Sequence, residues 1–165
     1  MNANVHELNQ EAATTRRVLE RVPEDQLTWK PHPKSMSLGQ LALHTAQTPG
    51  MVAGMLAGDT LDVPPDAFHV AQPASRQEIL DAHTGSVASA AAFLEGLTPE
   101  KSAATWHLAI SGKEVMAAPR GGVVRSILLN HWYHHRGQLS VYLRLLNVPL
   151  PSIYGPSADE NPFAS

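Results

Sequence analysis

The chain contains no cysteine among its 165 residues. It therefore has no disulfide bond, no thiolate metal ligand and no cysteine nucleophile. An excess of positive charge is absent as well, since the net charge is −3. The chain has no run of lysine or arginine that would provide a basic surface for nucleic acid. No apolar stretch approaches the roughly 20 residues that cross a membrane, and residues 1–17 are too polar for a signal peptide. The lack of a signal peptide and of a membrane span predicts a cytoplasmic protein that binds no membrane, and the lack of a basic run predicts that it binds no nucleic acid. The absence of cysteine is compatible with any compartment.

Two familiar catalytic motifs are missing as well. No glycine-rich phosphate-binding loop is present, and neither Ser126 nor Ser140 lies in the sequence context of a serine nucleophile. The length and the 43% content of hydrophobic residues are nevertheless sufficient for one self-supporting core. We therefore predict a single domain that spans residues 1–165.

Apolar residues that recur at intervals of three and four predict two helices in the first third of the chain. The first helix covers about residues 5–22 and ends before Pro23. The second begins after Ser37, a suitable N-cap, and continues to about Gly58. Pro49 lies inside this second helix and is expected to kink it. Residues 60–74, rich in proline, are predicted to form a loop.

Two more helices and a hairpin are predicted in the remainder. The third helix covers about residues 75–94, and Ser75 and Glu78 form its capping box. Alternation from Trp106 to Val115 predicts a short β-hairpin. The fourth helix opens near residue 122 and ends before Pro149. The expected fold is all-α: a four-helix bundle with a kinked second helix and a short β-hairpin between the third and fourth helices.

The chain is rich in histidine, with nine in all. Five of them stand in polar, proline-rich or scattered settings, where a solvated surface role is expected: His6, His32, His69, His83 and His107. The pattern leaves His134 undecided. Helical spacing places the other three, His44, His131 and His135, within apolar stripes that a bundle would bury.

His131 and His135 are four residues apart, so their side chains lie on one face of the fourth helix, about one turn apart. This spacing allows two imidazoles to chelate one ion, and His44 of the second helix could supply a third. A single inward histidine is more often hydrogen-bonded within a core than bound to metal, and this alternative holds for His44 alone. The three together favour a metal site, on the condition that the second and fourth helices are neighbours.

The segment "NHWYHHRGQ" at residues 130–138 resembles the C-terminal signature of the DinB-like superfamily of metal-binding bundle proteins. The family pattern is a histidine, three residues, and then His-Arg-Gly-Gln, which corresponds here to His131 and the run His135, Arg136, Gly137 and Gln138. The segment "MSLGQLALH" supplies the family's histidine of the second helix as His44. The resemblance implies a four-helix bundle with a three-histidine site for a divalent metal ion, often in a homodimer. Relatives of this kind include thiol S-transferases, a thiol-dependent maleylpyruvate isomerase and proteins named as metal-dependent hydrolases.

Three neutral imidazoles would leave a cation with its full charge and with open coordination positions. Such a site would lower the pKa of a bound water and so favour hydrolysis. It would equally lower the pKa of a bound low-molecular-weight thiol and so favour thiol transfer to a small-molecule substrate. Zinc or nickel is expected, with iron and manganese as alternatives. Gln138 and His134 are candidate supporting residues. Gln138 is predicted to face inward and to orient a ligand ring or hold a water, unless it is simply a buried amide, and His134 is a candidate general base unless it is a partly exposed helix residue.

The sequence also allows two hypotheses in which the chain is not an enzyme. The chain could bind a metal ion or a small ligand without turning anything over, since no acidic residue presents itself as a base. The ion could alternatively serve only to stabilise the bundle. Arg136 is predicted to point away from the site and to bind a carboxylate or a backbone group of a neighbouring element.

Overall fold

The computed structural model describes residues 3–67 and 69–164 of the chain. The described part is mostly helical and carries a small sheet of three strands. Its helices, in chain order, are α1 (Ala3–Leu19), α2 (Leu38–Met55), α3 (Arg76–Glu95), α4 (Pro99–Ala103), α5 (Arg120–Val123) and α6 (His131–Leu145). A 3-10 turn (Glu24–Gln26) follows α1, and a π-helical segment (Val124–Asn130) joins α5 to α6 without a break. The strands are β1 (Thr60–Val63), β2 (Thr105–Ile110) and β3 (Lys113–Pro119).

Local sequence signals account for the two central helix starts. Ser37 accepts a hydrogen bond from the backbone of Gln40, whose side chain bonds back to Ser37, so α2 begins with a complete capping box. Ser75 caps α3 by accepting a hydrogen bond from the backbone of Glu78. The predicted positions of both helices rest on these side chains.

The sheet corrects one expectation. Strands β2 and β3 pair antiparallel, and β1 adds to β2 in parallel, so the sheet is mixed. The segment containing Thr60–Val63 was predicted as a loop because prolines follow it, and that prediction is wrong for these four residues. The predicted fold, all-α with a short hairpin, therefore omits strand β1 and the mixed three-stranded sheet that it completes. Phe68, in the same predicted loop, lies outside the described residues.

Buried apolar residues form two clusters. One joins the C-terminal end of α2 and the π-helical segment to the sheet, through residues such as Leu56, which directly follows α2, Trp106 and Leu128. The other joins the N-terminal half of α2 to the second half of α6, through residues such as Leu41 and Leu139. Both α2 and α6 pass from one cluster to the other close to the histidines singled out by the sequence.

Pro49 lies inside α2, which continues through it to Met55. A proline has no backbone N–H, so the carbonyl four residues earlier, that of Thr45, loses its usual helical partner. The indole Nε1 of Trp132 donates a hydrogen bond to this carbonyl at 2.9 Å, and Trp132 is fully buried. The proline thus frees an acceptor that fastens α6 to α2 one residue away from His131 and from His44.

Candidate metal centre

The three histidines predicted to point inward meet in space. His44 of α2 and His131 and His135 of α6 bring their Nε2 atoms together, with separations of 2.6 Å between His131 and His135, 3.1 Å between His44 and His135, and 3.5 Å between His44 and His131. Two imidazole nitrogens bound to one zinc ion at about 2.0–2.1 Å lie about 2.8–3.4 Å apart at tetrahedral or octahedral angles. The observed separations bracket this range. Among the described residues, no other group of three or more histidine, aspartate or glutamate side chains converges in this way.

A hydrogen bond orients the most buried of these rings. His135 is 8% exposed, and its Nδ1 lies 2.8 Å from Oε1 of Gln138. A carboxamide oxygen can only accept a hydrogen bond, so Nδ1 carries the proton and the Nε2 of the neutral ring presents a lone pair to the other two histidines. Three ring nitrogens that converge on one point cannot satisfy one another by hydrogen bonds alone, whereas one cation would satisfy all of them.

The surroundings keep the three rings neutral. Burial lowers the pKa of His135 to about 4, with the neighbouring histidines acting in the same direction. Burial also lowers the pKa of His44, helped by His131, and that of His131, helped by His134. Neutral imidazole is the form that binds metal, so the site needs little deprotonation near neutral pH.

The two candidate supporting residues lie on the outer side of the cluster. Gln138 is exposed, so the expectation that it faces inward is wrong, although its carboxamide does contact His135. His134 is exposed too, with its ring centroid 5.1 Å from that of His135 and 6.4 Å from that of His131. Neither side chain lies among the three converging nitrogens.

An apolar cavity of about 410 Å³ opens beside two of the ligand candidates, His44 and His131. Its walls come from α2, the sheet and the helical segment before α6, elements that are distant in sequence. The residues that line it besides the two histidines are Met36, Thr48, Met51, Val52, Met55, Leu56, Val70, Trp106, Leu108, Met116, Val123 and Ile127. Sequence reasoning missed the cavity, and only the helical spacing of Met51 and Met55 around His44 hinted at it.

Of the five histidines expected at the surface, His83 alone is buried. His6, His32 and His69 are exposed, and His107 contacts Glu114 on the sheet. His83 of α3 is 3% exposed, lies with its ring centroid 6.3 Å from that of Trp132, and has an Nε2 without a hydrogen-bond partner. The surface prediction for His83 is therefore wrong, because its place on α3 faces the neighbouring helices.

The burial of His83 predicts acid sensitivity. Burial, together with the charge of Arg16, lowers its pKa from 6.5 to about 4, so the unfolded chain binds a proton more readily than the folded chain does. Its contribution to stability is therefore complete above pH 6.5 and is lost as the pH falls toward 4, by about 2 kcal/mol at pH 5 and about 3 kcal/mol at pH 4. The measurement is urea denaturation of the wild type and of His83→Leu at several pH values in the presence of a chelator. The wild type should lose this much more stability than the variant, and parallel pH curves would contradict the prediction.

Comparisons with known proteins bear on the family and on the fold. The model of the DinB superfamily matches residues 7–139. The uncharacterized protein YrdA of Bacillus subtilis is 28% identical over 152 residues, which cover 91% of this chain and 85% of YrdA. The crystal structure of a DinB-like protein from Bacillus subtilis covers 92% of this chain and 97% of its own, at 20% identity and a TM-score of 0.71. A DinB-like protein from Bacillus cereus gives 92% and 95%, at 19% identity and a TM-score of 0.69. At these identities the two crystal structures are evidence for the fold alone.

Proposed function

The chain belongs to the DinB superfamily, and from this membership we propose that His44, His131 and His135 bind one divalent metal ion. The observation that carries the proposal is the convergence of three Nε2 atoms within 3.5 Å of one another. The hydrogen bond from His135 to Gln138 supports it, because it directs the lone pair of His135 at the shared point. The link from Trp132 to Thr45 supports it as well, because it holds together the two helices that carry the ligands.

The donor set favours zinc or nickel. It consists of three neutral nitrogen donors, and no carboxylate or thiolate belongs to the cluster among the described residues. Imidazole suits zinc, nickel, copper and iron, whereas manganese and magnesium prefer oxygen ligands. Manganese is therefore the least favoured of the four metals that the sequence left open.

We further propose that the chain is a metal-dependent thiol S-transferase for small molecules. A divalent cation held by three imidazoles supplies Lewis acidity, which lowers the pKa of a coordinated thiol or water. In the transfer, the sulfur of a low-molecular-weight thiol forms a bond to an electrophilic carbon, the leaving group departs with its electron pair, and the thiol proton passes to solvent. The apolar cavity beside His44 and His131 would hold the electrophile and exclude water from it.

Thiol transfer is preferred to hydrolysis because of what the cavity offers. The described residues that line it include no aspartate or glutamate, so no carboxylate is in place to activate a water molecule. A thiol needs less help, since it is more acidic than water and its anion is a strong nucleophile. The same lack of a base favours, as a second candidate function, a protein that binds metal without catalysis.

The test is a comparison of two reactions on zinc- or nickel-loaded protein. One pairs cysteine or 2-mercaptoethanol with 1-chloro-2,4-dinitrobenzene, and the other is hydrolysis of 4-nitrophenyl acetate. We expect thiol-dependent turnover roughly tenfold or more above the protein-free rate, lost with chelator and restored by metal. Turnover that survives metal removal would contradict the proposal. A protein that binds metal but accelerates neither reaction would support the non-catalytic candidate.

A further inference from the structure

Methionine is concentrated around the cavity. The chain has five methionines, and four of them line the cavity: Met36, Met51, Met55 and Met116. They come from the connection before α2, from α2 itself and from β3, so no single helical stripe accounts for their meeting. Methionine side chains are unbranched and polarisable, and they adapt to ligands of different shapes.

The polar side chains in the cavity wall already have partners. The hydroxyl of Thr48 donates to the carbonyl of His44 at 2.6 Å, and the indole of Trp106 donates to the carbonyl of Met55 at 3.2 Å. No lysine, arginine, aspartate or glutamate is among the described residues of the lining. The imidazoles of His44 and His131 are therefore the side chains of the lining left to meet a polar atom of a ligand.

We infer that this cavity selects uncharged, largely apolar small molecules that carry a single polar head group, which lies beside His44 and His131. An ionised group within the cavity would lose its hydration and find no opposite charge, which is costly. Apolar groups of varied outline would be accepted, because the methionines can rearrange around them. A volume of about 410 Å³ lies in the lower half of the range of roughly 300–1,000 Å³ typical of small-molecule sites. The inference deepens the proposed function and rests on it only for the head group.

The apolar part of the inference can be tested on metal-free protein. The probes are N-phenyl-1-naphthylamine, which is neutral, and 8-anilino-1-naphthalenesulfonate, which adds a sulfonate to the same aromatic frame. We expect the neutral probe to bind roughly tenfold or more tightly than the anionic one, measured by fluorescence titration. Equal affinities, or tighter binding of the anion, would overturn the inference.

Two adjacent residues of β3 provide matched variants. Met116 lines the cavity, whereas Val115 is not among the lining residues and is 51% exposed. Met116→Glu should weaken the neutral probe roughly tenfold or more, and Val115→Glu should leave its affinity unchanged. If Met116→Glu fails to fold, Met51→Glu serves instead, since Met51 is 37% exposed and also lines the cavity. Equal effects of the lining and the outward variants would show that the probe binds elsewhere and would overturn the inference.

The head-group part uses zinc-loaded protein and n-alkyl hydroxamates from two to eight carbons. Affinity should rise up to about fourfold for each added methylene, because each buried methylene contributes about 0.8 kcal/mol. Suberic acid monohydroxamate, which ends the eight-carbon chain with a carboxylate, should lose this gain. If acetohydroxamate binds and the longer hydroxamates bind no more tightly, the apolar cavity is refuted and the metal site is still supported. The expected preference for the neutral dye, combined with no hydroxamate binding to the zinc-loaded protein, would refute the head-group part of the inference and support the apolar part. A protein that takes up no zinc but still prefers the neutral dye would refute the metal site of the proposed function and support the apolar part of the inference.

Discussion

Replacing His131 with alanine is expected to lower the affinity of the chain for zinc or nickel by roughly 100-fold or more. The Nε2 of His131 lies 2.6 Å from that of His135 and 3.5 Å from that of His44, so its removal takes one of three converging donors. The two remaining rings would have to bind the ion with water in the third position. The measurement is metal content by mass spectrometry after purification, followed by competition with a chelator of known affinity. Wild-type protein should carry about one ion per chain.

His134→Ala is the matched control. His134 lies on the same helix and three residues from His131, but it is exposed and outside the cluster. It should retain the metal affinity of the wild type within a few fold. Full occupancy of His131→Ala would refute the three-histidine site, and equal losses in the two variants would point to general damage to α6. Circular dichroism of the stripped wild type then distinguishes an ion needed for the fold from one needed only at the site.

The position of the histidines could be predicted because helical periodicity relates sequence to direction. Apolar residues at intervals of three and four fix which face of α2 and α6 is buried, and the histidines fall on that face. That α2 and α6 are neighbours could not be derived in this way, since periodicity says nothing of pairing between helices. The proline in α2 signals a free carbonyl at Thr45, but only the folded chain reveals that Trp132 of α6 takes it.

Features built from several distant elements escaped sequence reasoning. The cavity needs α2, β2, β3 and the π-helical segment together, and each contributes only a few residues to it. Strand β1 exists because its backbone pairs with β2, although its own four residues are half exposed and give little apolar signal. The π-helical turn at Val124–Asn130 also departs from the regular helix assumed for this segment.

Arg136 shows that a helical wheel gives the direction of a side chain but not what covers that side of the helix. The helical wheel places it on the side away from the histidines, and the prediction that it binds a carboxylate of a neighbouring element agrees with the structure. Pointing away from the site does not mean pointing to solvent, however, because α1 and the C-terminal tail cover that side. Arg136 is 1% exposed, and its guanidinium lies 2.6 Å from the carboxylate of Glu11. It also donates to Thr15 and to the hydroxyl of Tyr154.

Arg136→Ala is expected to lower the free energy of unfolding by about 3–5 kcal/mol, because it leaves the largely buried carboxylate of Glu11 without its counter-charge. The side chain of Glu11 is only 16% exposed, and the hydroxyl of Tyr154 is its remaining hydrogen-bond partner among the contacts of this cluster. The variant also loses the packing of the guanidinium on the rings of Tyr133 and Tyr154, whose centroids lie 5.3 Å and 5.0 Å from it. Urea denaturation in the presence of chelator measures the loss without a contribution from bound metal.

Arg125→Ala separates the effect of burial from that of charge. Arg125 also pairs with a glutamate of α1, Glu7, through two contacts of 2.7 Å and 2.8 Å, but its side chain is 49% exposed. A solvated pair of this kind contributes at most about 1 kcal/mol, so Arg125→Ala should cost much less than Arg136→Ala. Replacing both partners, as Arg136→Met with Glu11→Leu, removes the buried charges together and should recover most of the loss. If the double variant is no more stable than Arg136→Ala, the loss arises from packing and not from an unpaired carboxylate, and the electrostatic account of this cluster is wrong.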